Sequence, residues 1–187
     1  LNFNGDGSYE VINLFATYGM SNAGSNAKHF NFACHVDVVP PGNIEDWTEN
    51  PFSPVIKDGY LYGRGSEDMK GCTAASIISV FSFIKNNKDF NGTISFIITG
   101  DEEADSINGV DKVVDWISAQ GIRIDGSIAT ESSSEKILGD QIKVGRKGAV
   151  DIHIELIGKQ GHAAYPQIAK NPVHGISKII DFFDQYD

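Results

Sequence analysis

The chain predicts an α/β fold, a layered sheet with flanking helices. Residues 93–99 (Thr-Ile-Ser-Phe-Ile-Ile-Thr) form an unbroken β-favouring run of the kind buried inside a sheet. Residues 69–87 carry Ala74, Ile77, Ile78, Phe81 and Ile84 at the 3.6-residue spacing of an amphipathic helix. Acidic residues follow the strand patterns, at Asp101 to Glu103 and at Glu131, so carboxylates collect at the carboxyl edge of the sheet, where α/β folds bind ligands.

In chain order, residues 11–16 and 30–37 are β-rich runs separated by the turn-forming segment 19–27, and they are expected to be adjacent strands. Residues 39–52 hold Pro40, Pro41, Gly42 and Pro51 and form a loop of functional length. Residues 55–62 place Asp58-Gly59 between β-formers, the signal of a tight hairpin. After the helix at 69–87 and the strand at 93–99, a helix is expected over 109–119 and a short strand over 127–130. Beyond Gly148 the texture changes: Val150, Ile152, Ile154 and Leu156 alternate with Asp151, His153 and Glu155, as in a half-exposed antiparallel strand over 149–157. A Gly-rich turn at 158–164 and a helix from Pro172, carrying Ile176, Ile179, Ile180 and Phe183, complete the pattern. The expected division is 1–147 and 148–187, the second part being too short to complete a domain alone.

With 187 residues, 41% of them hydrophobic, the chain can build one substantial core, or one domain and part of another. Fifteen Lys and Arg against 25 Asp and Glu give a net charge of −10, which disfavours nucleic acid and anionic membrane surfaces as partners. The acid is concentrated before residue 136. No apolar run approaches the ~20 residues that span a bilayer, and no basic segment precedes an apolar one at the start. The two cysteines, Cys34 and Cys72, read as small buried hydrophobes in a reducing compartment, so a cytoplasmic protein is expected.

His35 and Asp37, two apart at a strand end, leave the same face, which suits an imidazole metal ligand oriented by a carboxylate; Cys34 points the other way. Gly63-Arg64-Gly65-Ser66-Glu67-Asp68 is no dinucleotide loop, because an anionic carboxylate in the third glycine position would repel a pyrophosphate. Taken alone, Asp68 could be an ordinary helix N-cap, and the run Asp101-Glu102-Glu103 a solvated loop tip. Together with Glu131 at another strand end, they instead form one His and several carboxylates at one sheet edge. That is a hard, oxygen-rich set suited to paired cations and hydrolysis, with a free carboxylate beside a ligand as general base.

The chain resembles the di-zinc aminoacylase/carboxypeptidase family of amidohydrolases. The resemblance rests on motifs that occur in order: His35-Val-Asp-Val-Val-Pro-Pro-Gly42, Trp47 with Pro51-Phe52, Asp58-Gly-Tyr-Leu-Tyr-Gly-Arg-Gly-Ser-Glu-Asp68-Met-Lys-Gly71, Asp101-Glu-Glu103, and Gly158-Lys-Gln-Gly-His162-Ala-Ala-Tyr-Pro166. The last of these and Asn171-Pro-Val-His174 favour the branch that cleaves N-succinyl-LL-2,6-diaminopimelate over acetylornithine deacetylases and peptidases. Another N-acyl amino acid deacylase, a metallopeptidase or a non-catalytic fragment are the alternatives.

The resemblance implies a truncated di-zinc exopeptidase-like catalytic domain over 1–147 and the start of an α+β lid/dimerisation domain over 148–187. It implies two Zn2+ per subunit, with Co2+ able to substitute: His35 and Glu131 on one ion, Asp68 bridging, Glu103 on the other. Glu102 is then the general base, Asp37 the orienter of His35, Arg146 the partner of the succinyl carboxylate, and His162 an oxyanion donor in the partner subunit's site. His153 and His174 read as structural. A small-molecule substrate, a homodimer through the lid and a cis Asp68–Met69 peptide are implied as well. Ser132, where relatives usually carry Pro, and Cys72, where a second Gly is common, depart from the pattern. The family's opening segment and its last zinc-binding histidine fall ahead of Leu1 and beyond Asp187, so this chain alone is expected to be impaired.

Overall fold

The computed structural model describes residues 1–4, 9–19, 26–148, 150 and 152–186. It comprises two compact units, Leu1–Ile142 and Lys143–Asp187. Among the described residues no helix is long and apolar enough to cross a membrane.

The first unit is built on a four-stranded sheet. Strands β1 (Asn2–Asn4) and β2 (Glu10–Ile12) pair separately as an antiparallel ribbon. Strands β3 (Leu14–Tyr18), β4 (Lys28–His35), β7 (Gly92–Thr99) and β8 (Gly126–Ala129) form the sheet in the order β3-β7-β4-β8. β4 is parallel to both β7 and β8, and β3 runs antiparallel on β7. The expected run over 11–16 is split at Asn13, which is buried, and most of the intervening 19–27 turn lies outside the described residues. β3 and β4 are not neighbours, contrary to the sequence expectation, because β7 lies between them. The chain passes from β4 through helix α1 (Cys72–Asn86) into β7, and such a crossover returns a strand parallel beside its predecessor. β7, the most buried strand, thereby takes an interior position.

β5 (Val55–Lys57) and β6 (Tyr60–Tyr62) form the expected hairpin. Asp58 and Gly59 both have positive φ, 53° and 84°, as a primed two-residue turn requires. α1 starts at Cys72 rather than Met69. Residues 66–71 make a wider turn with non-helical backbone at Asp68 and Met69, and the Asp68–Met69 peptide is cis, as the resemblance implied. The buried positions of α1 are Thr73, Ser76 and Val80, while Ile78 and Phe81 are exposed. Thr73 and Ser76 donate their hydroxyls to the carbonyls of Met69 and Cys72, which lets polar side chains sit inside. α2 (Val110–Ala119) covers another part of the sheet: Val113 and Ile117 pack with Ile97, and Phe15 meets Trp116 edge-on at 5.9 Å.

The second unit holds helix α3 (Val173–Phe183), near where the sequence placed it. A single antiparallel bridge, Lys159 to Lys170, ties the preceding loop together. Of the strand expected over 149–157, Ala149 and Asp151 lie outside the described residues, and among the described residues 150 and 152–157 no strand is formed. Alternation alone does not make a strand, since its N–H and C=O groups need a ladder partner, and among the described residues of this unit the elements are a short 3-10 turn and one helix.

Candidate metal centre

Three parallel strands deliver their carboxyl ends to one edge. His35 closes β4 opposite Thr99 at the end of β7, and Val36 N–H donates to Thr99 O at 2.9 Å, so residues 100–103 emerge beside 36–37. Thr130 N–H donates to Ala33 O, which carries β8 to the same edge just before Glu131. Asp68 arrives from the turn ahead of α1. The seat of that turn is Met69, 1% exposed, whose sulfur accepts the His35 main-chain N–H at 3.2 Å.

The His35 ring is 2% exposed and flanked by oxygen on both sides. Nδ1 lies 3.1 Å from the Asp37 carbonyl and 3.5 Å from Asp37 Oδ1; Nε2 lies 3.0 Å from Asp68 Oδ1 and 3.9 Å from Glu102 Oε2. Asp37 Oδ2 accepts the main-chain N–H groups of Glu102 at 2.9 Å and Glu103 at 2.8 Å. Its other oxygen is buried without a hydrogen-bond partner. Asp37 thus holds the acidic segment as well as facing His35, a second role invisible in a His-x-Asp pattern. His35, Glu102 and Glu103 each offer a donor atom within 4.8 Å of the others.

These donors fit divalent cations. A neutral imidazole has one proton, so with the Nδ1 proton directed at the Asp37 carbonyl, the Nε2 lone pair faces the lone pairs of Asp68. A cation between them resolves that repulsion, and two ligands at about 2 Å from one ion lie roughly 3 Å apart. Partial burial raises the Glu102 pKa above the ordinary carboxylate value; the neighbouring His35 ring opposes this, and the charges of Glu131, Glu103 and Asp37 add to it. Glu131, half-buried, follows two residues after the end of β8.

Asp101, first of the three acids, is 1% exposed and belongs to the interior. Its burial works to raise its pKa, but hydrogen bonds from Asn108 N–H, the Tyr9 hydroxyl and the N–H groups of Ser106 and Ile107 outweigh that and hold it below the usual carboxylate range. No spacing in the sequence signals Tyr9, and Met69 was marked there only by the cis peptide that the resemblance implied, not by the contact of its sulfur with His35.

Arg146 and His162 belong to the second unit. Arg146 is exposed. His162 Nδ1 accepts the Ala164 N–H at 3.1 Å, which leaves the neutral ring protonated on Nε2, and the Tyr165 ring lies 5.8 Å away. His162 and His174 line one cavity of about 580 Å³ with Lys159 and Lys170.

A model of peptidase family M20/M25/M40 matches residues 32–181. The chain is 45% identical over 181 residues to the succinyl-diaminopimelate desuccinylase of Pelagibacter ubique (strain HTCC1062), covering 97% of this chain and 46% of the relative. To the protein of the same name from Coxiella burnetii (strain Dugway 5J108-111) it is 47% identical over 165 residues, 88% of this chain and 43% of the relative. It therefore spans a little under half the length of these curated relatives. Among solved structures, it is similar to the M20 family metallo-carboxypeptidase Sso-CP2 from Sulfolobus solfataricus, with a TM-score of 0.52 and 25% identity over 67% of this chain and 27% of that one. Human carnosine dipeptidase 1 gives a TM-score of 0.53 and 30% identity over 66% of this chain and 25% of that one.

Proposed function

The chain belongs to peptidase family M20/M25/M40, and from that premise we propose that it is part of a metal-dependent amidohydrolase that cleaves N-succinyl-LL-2,6-diaminopimelate to succinate and LL-2,6-diaminopimelate. The observation that carries the chemistry is the docking of Glu102 and Glu103 on Asp37, with Glu102 3.9 Å from the buried His35 ring. The choice of substrate rests on identities of 45% and 47% to proteins named for that reaction.

His35 and Glu131 would hold one divalent cation and Glu103 a second, with Asp68 contributing to both; Zn2+ would be the metal and Co2+ a substitute. When bound, the cations lower the pKa of water and polarise the amide carbonyl. Glu102 takes the proton of the attacking water on its carboxylate and returns it to the leaving amine, a task served by the raised proton affinity that burial confers. Asp37 keeps His35 in one tautomer and Glu102 in place. Arg146 meets the succinyl carboxylate with its planar fork. His162 donates Nε2–H to the developing oxyanion in the partner subunit's site, the tautomer being the one its Ala164 contact selects. Residues 148–187 are the start of a lid and dimerisation domain. The free thiols Cys34 and Cys72 support a cytoplasmic setting.

Full-length protein assayed on succinylated, acetylated and peptide amides tests the reading: the succinylated diamine is expected to exceed the others in kcat/KM by at least about 10²-fold. Faster peptide cleavage would instead support a metallopeptidase, which the likeness to a carboxypeptidase and a dipeptidase favours as the second reading.

A further inference from the structure

Asp101 opens the acidic segment, yet its carboxylate is spent on the fold. Oδ1 accepts the Tyr9 hydroxyl at 2.9 Å, and Oδ2 accepts the main-chain N–H groups of Ile107 at 3.0 Å and Asn108 at 2.8 Å. These bonds close residues 101–108 into a ring. Ser106, with φ at 55°, donates its hydroxyl to Glu102 O at 2.6 Å and tightens the ring from within. Asn13 reaches it from the β2–β3 junction and donates Nδ2–H to Asn108 O at 2.9 Å. The same ring is fastened to the metal centre by Asp37, through the N–H groups of Glu102 and Glu103. The two glutamates are therefore gripped at both ends of a short path, by Asp37 on one side and by Asp101, Tyr9 and Asn13 on the other.

We propose that Asp101, braced by Tyr9 and Asn13, is a positioning residue that sets where Glu102 and Glu103 present their carboxylates. A ring anchored on a buried carboxylate has lost its conformational freedom on folding, so the glutamates bind cations without further ordering. Groups that orient metal ligands are worth about 10- to 100-fold in affinity or activity. The kinetic half of the inference rests on the hydrolase reading; the metal-binding half does not.

The test uses full-length protein with Tyr9→Phe, Asp101→Asn and, as a core control, Ile117→Ala, which removes buried packing on α2. Zn2+ affinity is measured by calorimetry, Tm without metal, and kcat and KM on the succinylated diamine. Asp101→Asn is expected to weaken Zn2+ binding about 10- to 100-fold and to lower kcat with little change in KM. Tyr9→Phe, which loses one bond and keeps the ring, should shift both in the same direction by roughly a third to a half of that on a logarithmic scale. Ile117→Ala should lower Tm while leaving Zn2+ affinity unchanged. The inference is overturned if Asp101→Asn and Tyr9→Phe lower only Tm and leave Zn2+ affinity within about twofold of wild type. Should Asp101→Asn not fold, Tyr9→Phe decides alone. Wild-type protein that binds Zn2+ but does not turn over the succinylated diamine would defeat the hydrolase reading, and Zn2+ affinity would still judge the positioning.

Discussion

At the scale of single residues, adjacent acids carry different burdens. Asp101 is internal, Glu102 is the more exposed group beside His35, and Glu103 is half-buried with its N–H on Asp37. In the sequence the three are chemically alike, and repulsion among them was the visible signal; only burial and hydrogen bonding separate the interior Asp101 from Glu102 and Glu103 beside His35. That His35 and Glu131 stand at strand ends and Asp68 ahead of a helix was legible, because strand ends and a helix start can be placed from apolar periodicity. Tyr9 was not, since its partner is 92 positions away. Glu102→Gln in full-length protein is expected to keep Zn2+ stoichiometry and lose about 10²- to 10⁴-fold in kcat, because an amide cannot accept the proton. Metal analysis beside the assay checks this, and loss of metal would make Glu102 a ligand. Asp37→Ala should do more damage: it orphans the N–H groups of Glu102 and Glu103 and removes the carboxylate beside His35, leaving Nδ1 only the main-chain carbonyl, so apo stability is expected to fall by about 1–3 kcal/mol in denaturant titration and Zn2+ binding with it.

At the scale of elements, the approach of two backbone segments governs the acidic loop. A Cβ at Gly109 would sit 2.6 Å from the Asp101 carbonyl oxygen. Gly109→Ala must therefore displace backbone, and is expected to cost about 1–3 kcal/mol and to weaken Zn2+ affinity, as calorimetry would show. A different device holds the start of β8. Asp125 accepts the His29 N–H at 3.0 Å, and this bond, followed by the contacts with Lys28 and Arg123, keeps its carboxyl below the usual carboxylate range despite some burial. A depressed carboxylate binds fewer protons in the folded than in the unfolded state, so its stabilisation is present above the ordinary carboxylate range and fades as the pH falls through that range. Asp125→Asn should lower Tm near pH 7, and the gap from wild type should narrow as the pH approaches about 3. The hairpin at Asp58-Gly59 was readable because its turn chemistry is local. The strand expected over 149–157 was not, because pairing belongs to two segments and only one was in view.

For the whole molecule, the gathering of strand ends at one edge follows from parallel topology. β4, β7 and β8 run the same way, so their carboxyl ends, and the residues that follow them, lie together. If residues 148–187 pair subunits and His162 serves the partner's site, mixing Glu102→Ala with His162→Ala subunits of the full-length protein restores activity. Half of random dimers are mixed and each has one intact site, so about a quarter of wild-type activity is expected. Recovery of none, with mixed dimers shown to form, would put His162 in its own subunit's site or outside catalysis. The order of the strands, the split at Asn13, the delayed start of α1 and the brace behind the acidic loop were all decided by contacts between distant segments. Residue type, periodicity and turn chemistry are properties of neighbours along the chain, so the α/β class, the hairpin, the helices and the set of candidate ligands could be read from it directly. Which strand lies beside which, and which of three like carboxylates is sealed inside, depends on how much surface each segment buries against partners far away in sequence, and that is settled only when the chain is folded.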